Sequence, residues 1–375
     1  MEDRLEDLLR GLVACNSVSP TLAGGPGEGE AATFVMDALT AAGLRPVRQE
    51  PADGRFNVVA RVPGRGDAPP LLLNAHLDTV GTDGMDAPFR LRRDGDRLYG
   101  RGAYDMKGSA AVMLALAETL AADPPPGDLW LTFVADEEDR SVGTEHLVAQ
   151  WLPTLGTPPA AAFVLEPTEE QIGVAHKGFV WFEVEITGQA AHGSRPEQGI
   201  DAALPLTAAL AELKALTDAL AAEPPDARLG PATVHVSRIE AGSEWSVIPA
   251  AARLTWERRT LPRDADGRMQ DELERVLEAV RAFPGRHTAT GRIPFVRRPH
   301  AVADDALPVR LLRRAAPDAT LAGLSFWTDA ALLGPHMPAV LYGPAGHGAH
   351  AIDEWVSRAS LGRVYQALLR VVNSH

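Results

Sequence analysis

The sequence has very little cysteine. Cys15 is the single thiol in 375 residues, so it cannot form an intramolecular disulfide and cannot supply the several thiolates of a structural zinc site. Any metal ion that this chain binds must therefore use oxygen and imidazole ligands.

Long apolar runs and basic charge are also scarce. No uninterrupted run of about 18 apolar residues occurs, and residues 1–10 form an acidic amphipathic pattern without the apolar core of a signal peptide. Lys and Arg number 36 against 50 Asp and Glu, for a formal net charge of −14. We therefore expect a cytoplasmic protein with no membrane association, and the excess acid argues against a nucleic-acid partner.

The length and the apolar content, 45% of the residues, predict two domains with a substantial core. Short apolar runs alternate with an Ala/Leu-rich helical stretch at 108–121, which favours an α/β domain with a doubly wound, mostly parallel sheet. The runs that read as its buried strands are 71–75, 129–135 and 161–165.

After residue 167 the pattern changes to alternating apolar and polar residues, which predicts strands with one solvated face and hence an antiparallel sheet with helices on its other face. We assign residues 176–293 to this inserted α+β domain, and 1–175 with 294–375 to the first domain. The predicted strands of the insertion are 179–187, 233–239 and 252–257, and its helices are 202–222 and 269–282.

Polar side chains that can bind metals follow the predicted strands of the first domain. His76 and Asp78 are two residues apart in an extended segment, so their side chains point to the same side. Glu137 and Glu138 follow the second apolar run, and Glu166 follows the third. Ligands of open α/β sheets bind outside the carboxyl ends of the strands, so we expect these side chains to meet there.

Two further residues lie elsewhere in the chain. Asp105 directly precedes a helix, and taken alone it is better explained as a helix cap than as a ligand. His350 lies in a Gly-rich loop that could bring an imidazole close. Several carboxylates in one pocket repel each other, and divalent cations remove that penalty. Two His and several Asp and Glu without Cys suit two zinc ions, with cobalt or manganese as alternatives.

The adjacent pair Glu137 and Glu138 suggests a division of roles. Consecutive side chains diverge, so one can bind a metal ion while the other acts as a base. A water activated between two divalent ions could then attack a carbonyl, with the free carboxylate passing the proton to the leaving amine. The residues alone leave open which glutamate has which role.

Six motifs in order, spread over nearly the whole chain, resemble the zinc aminoacylase and acetylornithine deacetylase family, whose relatives include succinyl-diaminopimelate desuccinylase and carboxypeptidase G. The resemblance implies a metal-dependent amidohydrolase that cleaves the amide bond of an N-acyl amino acid, and a homodimer formed through the inserted lid or dimerisation domain. The motifs are HLDTV, GRGAYDMKG, the strand ending DEE, LEPT, GQAAHGSRPEQGIDA and GAHAIDEW.

The resemblance also implies metal ligands. His76, Asp105 and Glu166 match the ligands of one ion, with Asp105 bridging to the second. Glu138 and His350 match the other ligands of that second ion.

Four more residues match family positions with other roles. Glu137 matches the general base, and Asp78 matches the acid that orients the His76 imidazole. His192 matches a histidine that reaches the partner subunit's active site and stabilises the oxyanion. Arg259 matches the arginine that holds the substrate carboxylate, with its neighbour Arg258 as the alternative.

The chain departs from the family pattern at two positions. Ser246 stands where many relatives have Asn, which puts one substrate or oxyanion hydrogen bond in question. His347 is an additional imidazole near His350, and it could be a spectator, a proton relay or a substrate contact.

Three other functions remain open from the sequence. A dipeptidase or carboxypeptidase could use the same scaffold, a non-catalytic relative could bind a carboxylated ligand, and a two-metal phosphohydrolase fits the bare set of ligands. The complete set of metal ligands together with Glu137 favours an enzyme over a binding protein.

Overall fold

The computed structural model describes residues 1–265 and 267–375. The chain divides into two units. The first consists of Met1–Val174, Ala301–Gly323 and Thr328–His375, and the second of Ala175–His300 with Leu324–Trp327. The second unit is therefore an insertion within the sequence of the first.

Helices occur in both units. Of the helices in the described ranges, none combines the length and the apolarity needed to cross a lipid bilayer. They are α1 (Glu2–Ala14), α2 (Pro20–Ala23), α3 (Gly29–Ala41), α4 (Gly108–Ala122), α5 (Val142–His146), α6 (Leu206–Ala222), α7 (Arg268–Ala282), α8 (Leu307–Ala315), α9 (Ala330–Leu333) and α10 (Arg358–Asn373).

The strands form one large sheet and two smaller ones. They are β1 (Val47–Ala52), β2 (Arg55–Val62), β3 (Ala68–His76), β4 (Arg92–Asp94), β5 (Arg97–Tyr99), β6 (Gly127–Val134), β7 (Ala161–Val164), β8 (Ile172–His176), β9 (Gly178–Thr187), β10 (Thr233–Ala241), β11 (Ala251–Thr260), β12 (Thr288–Arg297), β13 (His300–Ala301), β14 (Leu321–Leu324), β15 (Ala339–Leu341), β16 (Gly346–His347) and β17 (Trp355–Ser357).

The large sheet has the strand order β1-β2-β6-β3-β7-β15-β8-β13, and β14 pairs with β8. Its central strands β6, β3, β7 and β15 run parallel, whereas β1 and β2 are antiparallel additions at one side. The predicted α/β class is confirmed, with a sheet that is parallel at its centre and antiparallel towards its edges. A third sheet has the order β16-β17-β5-β4.

The helix α4 crosses the core of the first unit. Nearly all of its residues are apolar and buried, as expected of a helix covered on every side. It contacts α1 and α10, so the end of α4 next to Asp105 is held by the hydrophobic core.

The second unit contains an antiparallel sheet with the order β10-β11-β9-β12. Every second residue of β11 is buried against the core cluster that α6 and α7 complete, which confirms the prediction of an antiparallel sheet with helices on one face. β12 was not predicted from the sequence, because Gly291 and Pro294 weaken its strand pattern. The predicted return to the first domain at 294 falls inside this strand, and the second unit continues to His300.

Candidate active site

The site lies where the parallel strands of the first unit end. β3 ends at His76, while Glu137 and Glu138 follow its neighbour β6 and Glu166 follows its other neighbour β7. One ligand atom from each of His76, Glu137 and Glu166 lies within 4.8 Å of the others, and the same holds for His76, Asp105 and Glu138. Parallel strands thus bring residues from distant sequence positions to one edge of the sheet.

Asp105 lies between two histidines. Its Oδ1 is 3.1 Å from His76 Nε2 and its Oδ2 is 3.3 Å from His350 Nε2, while the same His350 nitrogen is 2.8 Å from Glu138 Oε2. Each Asp105 oxygen therefore faces a different imidazole. The N-cap position of α4 is Lys107 and carries no side-chain cap bond, so the alternative reading of Asp105 as a helix cap is wrong.

Asp78 contacts both His76 and the turn that carries Glu137 and Glu138. His76 Nδ1 lies 3.0 Å from the backbone oxygen of Asp78 and 3.6 Å from its Oδ1, so the carbonyl is the nearer partner. The carboxylate accepts hydrogen bonds from the backbone N–H groups of Glu137 and Glu138, each at 3.1 Å. The carboxylate thus faces the imidazole, as expected from the sequence, and also binds two amides of the turn after β6, which was not predicted.

Burial and mutual repulsion change the pKa values in this cluster. Burial, followed by the charge of Glu166, holds the pKa of Glu137 well above its usual value. Burial and the charge of Asp105 raise the pKa of Glu138 to about 7. Although burial opposes it, hydrogen bonds from His350 and His76 lower the pKa of Asp105. Buried acids and imidazoles without thiolates form a donor set that fits divalent metal ions.

The profile of peptidase family M20/M25/M40 matches residues 72–374. The chain belongs to this family. As an M20/M25/M40 member it is a metallohydrolase, which confirms the predicted enzyme class and the resemblance found in the sequence.

Individual relatives agree with this family. A probable carboxypeptidase of Aspergillus terreus is 31% identical over 92% of this chain and 82% of its own length. A succinyl-diaminopimelate desuccinylase of Dinoroseobacter shibae is 29% identical, with 97% of each chain covered.

Solved structures share the fold. A tripeptidase from Staphylococcus aureus has a TM-score of 0.80 and 18% identity, covering 100% of this chain and 98% of that one. A Bacillus subtilis protein described as a dinuclear metal-binding peptidase of the M20 family has a TM-score of 0.73 and 18% identity, with 100% and 98% covered.

Glu354 supports the Asp105 loop and was not predicted from the sequence. Its buried carboxylate accepts a hydrogen bond from Arg101 Nη1 at 2.7 Å. Three backbone N–H groups donate to the same carboxylate, those of Gly102 (2.9 Å), Tyr104 (2.9 Å) and Asp105 (3.0 Å). Its position in the GAHAIDEW motif was visible, but nothing in the sequence separates it from a solvated loop acid.

A buried arginine lies behind the turn that carries the two glutamates. Arg55 Nε donates to both oxygens of Glu28 at 3.0 Å, and its Nη1 lies 2.7 Å from Asp136 Oδ1. Its Nη2 is 4.0 Å from Asp78 Oδ2. This guanidinium offsets the negative charge of acids that would otherwise be buried together, and no sequence motif marked Arg55 or Glu28.

Thr328 and Asp329 are adjacent in the chain but have different contacts. Thr328 Oγ1 accepts the N–H of Ala330 at 3.2 Å, a local cap-like bond. Asp329 is buried and accepts a hydrogen bond from the Thr144 hydroxyl at 2.6 Å. Its charge contributes to the raised pKa of Glu137, after burial and Glu166.

In the second unit, the two candidate arginines lie on opposite faces of β11. Arg258 is fully buried, with Nε 3.3 Å from Glu272 Oε2 and Nη2 3.5 Å from Asp264 Oδ2. The Arg259 side chain is 34% exposed and its Nε lies 2.7 Å from Glu257 Oε1. Arg259 is therefore the arginine that a ligand can reach. In the sequence of β11 every second residue before Arg258 is apolar, and this alternation already indicated that position 258 points inward.

The remaining predicted residue of the second unit is His192. It is exposed, and its Nδ1 lies 2.7 Å from the Ser194 hydroxyl. Ser246, the position that departs from the family pattern, lies on the facing segment and accepts the N–H of Gly193 through its carbonyl at 2.7 Å. His347 in the first unit is 63% exposed, with Nε2 3.8 Å from Asp353 Oδ2, which favours its reading as a spectator.

Proposed function

We propose that this M20/M25/M40 member hydrolyses the amide bond of an N-acyl amino acid, with Glu137 as the general base. The observation that carries the proposal is the divergence of two adjacent glutamates. Glu138 is held by His350 at 2.8 Å, whereas Glu137 lies with His76 and Glu166. The two side chains thus face different partners. Each lies in a group that could hold a metal ion, and we assign the base role to Glu137 because it matches the general base of the family.

The division of the metal ligands between two ions is the one that the family resemblance implies. His76, Asp105 and Glu166 would bind one ion, and Asp105, Glu138 and His350 the other. When bound, two divalent ions, zinc first and cobalt or manganese as alternatives, supply Lewis-acid polarisation of the amide carbonyl. Support comes from the two Asp105 oxygens, which face different imidazoles, and from the dinuclear M20 peptidase of the same fold.

Glu137 then accepts a proton from the attacking water and returns it to the leaving amine, a task to which a buried carboxylate with a raised pKa is suited. Asp78 positions the turn that carries Glu137 by accepting its backbone N–H. The chain's own residues thus provide both the base and its alignment.

Substrate binding involves the second unit. Arg259 binds the substrate carboxylate, because its guanidinium is the accessible one of the pair and two parallel N–H donors match a carboxylate. His192 donates to the developing oxyanion in the partner subunit of a homodimer, and its exposure supports this role. The dimer and a cytoplasmic location stay predictions.

A dipeptidase or carboxypeptidase is the second candidate. The relatives include a probable carboxypeptidase that is 31% identical and a desuccinylase that is 29% identical. Sequence identity to relatives therefore favours neither peptide hydrolysis nor deacylation.

The test is hydrolysis of a panel of N-acetyl amino acids, N-succinyl amino acids and dipeptides by the zinc- or cobalt-reconstituted protein. A chelator-treated sample is the control. We expect chelator-sensitive turnover with N-acyl amino acids preferred. A marked preference for dipeptides would reject the deacylase in favour of the second candidate, and no turnover from protein that holds two ions would contradict both.

A further inference from the structure

The open face of the second unit's sheet carries an unusual set of side chains. Opposite Phe179 of β9 lie Arg259 and Arg297, and opposite Trp181 lie Glu257 and Phe295. Side chains two residues apart on a strand share a face, so these residues all lie on the face opposite to the α6 and α7 core.

Four aromatic rings meet on this face, and we call them the aromatic shelf: Phe179, Trp181, Phe295 and Trp327. Ring centroids are 5.6 Å apart for Phe179–Trp181, 5.0 Å for Trp181–Phe295, 5.8 Å for Phe179–Phe295 and 6.3 Å for Phe179–Trp327. Such spacings are typical of favourable aromatic pairs.

The shelf is partly open to solvent. Trp181 is 39% exposed, and Phe179 and Phe295 are half-buried. Of the shelf residues, Trp181 lines a cavity of about 530 Å³, together with Glu257 and Thr255. That volume is within the range of small-molecule sites, about 300–1,000 Å³, and contiguous exposed aromatic surface is uncommon without a ligand or partner.

Charged groups lie against the shelf at two places. The Arg297 guanidinium lies over the Phe295 and Trp327 rings, 4.5 Å and 5.3 Å from their centroids. The Arg259 guanidinium lies over the Phe179 ring, 5.2 Å from its centroid. Glu257 accepts hydrogen bonds from Trp181 Nε1 at 3.0 Å and lies 2.7 Å from Arg259 Nε. Glu257 thereby orients both side chains, and a ligand carboxylate would bind Arg259 through its two Nη groups.

The charge around Arg259 favours an anion. Burial, and then the positive charges of Arg259 and Arg258, lower the pKa of Lys177, as expected where cations accumulate. An anionic group at Arg259 would relieve this repulsion. The rest of the ligand would then lie against the aromatic rings.

We propose that the aromatic shelf is the subsite for the side chain of the residue whose carboxylate Arg259 binds, and that this side chain is aromatic or large and apolar. The inference rests on the proposed function in one respect, the binding of the substrate carboxylate by Arg259. Trp181 lies about 7 Å along β9 from Phe179, a distance that a phenylalanine side chain can bridge and an alanine methyl cannot.

The test measures binding rather than turnover. Calorimetry on zinc-loaded Glu137→Gln protein compares the Kd values of N-acetyl-phenylalanine and N-acetyl-alanine. Burial of the phenyl ring should make the first ligand bind at least about tenfold more tightly. The same ratio is then measured in variants of the shelf.

Trp181→Ala and Phe295→Ala should reduce this preference to about threefold or less, whereas Trp181→Phe, which keeps a ring, should retain most of it. Val296→Ala is the matched control, because Val296 is 47% exposed and pairs with Val180 on the other face. It should leave the ratio unchanged.

Several outcomes would overturn the subsite: no preference in the parent protein, binding of neither ligand, or a preference that survives both alanine variants. A change of oligomeric state without a change in the Kd ratio would also overturn it, since the shelf would then be an interface between copies. Failure of the proposed function is distinguishable, because it appears as absent turnover in the wild-type protein whatever the Kd ratio.

Discussion

Glu354 accepts a hydrogen bond from the backbone N–H of Asp105 at 3.0 Å, although 249 residues separate the two in the chain. Glu354 shares its loop with His350, and Asp105 lies between His350 and His76. The contact therefore ties together two loops that each carry a proposed metal ligand.

Removal of this carboxylate should weaken metal binding. In Glu354→Ala the N–H groups of the Asp105 loop lose their acceptor, and loss of such supporting contacts typically costs about 10- to 100-fold in metal affinity. The metal affinity of Glu354→Gln should lie between those of the wild type and Glu354→Ala, because the glutamine keeps one acceptor oxygen. Zinc titration calorimetry measures the effect, with Asp353→Ala, whose side chain is 65% exposed, as the control. An Ala variant that folds normally and binds zinc like the wild type contradicts this role.

The two adjacent glutamates should respond differently to amide substitution. Glu137→Gln should lower kcat by about 10²- to 10⁴-fold, the usual contribution of a general base, and should retain bound zinc. Glu138→Gln should instead lower zinc affinity, because its carboxylate contacts His350 at 2.8 Å. Metal content and kcat are measured on both variants, and the reverse pattern would exchange their roles.

Substitution of the two adjacent arginines should have different effects, on stability for Arg258 and on substrate binding for Arg259. Arg258→Met leaves Asp264 and Glu272 without a buried cation that contacts both, and should lower the free energy of unfolding by about 3 kcal/mol. Arg259→Met should raise KM, with little effect on stability because that side chain is 34% exposed. Denaturant unfolding and steady-state kinetics measure these effects. A stable Arg258→Met protein with a raised KM would argue for the buried arginine as the substrate ligand.

An ion pair of the first unit should give a pH-dependent contribution to stability. Burial opposes ionisation of Glu170, but hydrogen bonds from Arg363 and Ser360 outweigh it and lower its pKa below 4.5. An acid whose pKa is lower in the folded than in the unfolded protein stabilises the folded state at pH values above the unfolded-state pKa. This contribution is lost as the pH falls through the folded-state pKa.

We therefore expect Arg363→Ala to lower the free energy of unfolding at pH 7 by no more than about 1 kcal/mol, because Arg363 is 60% exposed and solvent screens the pair. The difference from wild type should shrink below pH 4.5. Urea unfolding at several pH values measures it, and a constant difference down to pH 3 would show that the effect is not electrostatic.

Much of the candidate site follows from local pattern. The apolar runs that became β3, β6 and β7 were recognisable because a strand buried on both faces is apolar throughout. Their parallel arrangement then requires the residues after each strand to meet at one edge. Asp105 and His350 could be added only through the motifs, since neither follows a strand of that sheet.

The sequence by itself determined the fold class, the family and which side chains form the candidate site, because hydrophobic periodicity and ordered motifs are properties of neighbouring residues. The tertiary structure alone decided which groups support that site. Glu354, Arg55 and the buried state of Arg258 depend on contacts between segments far apart in the chain, and on which face of a strand meets the core. Such contacts depend on strand register and loop path, which short stretches of sequence do not encode.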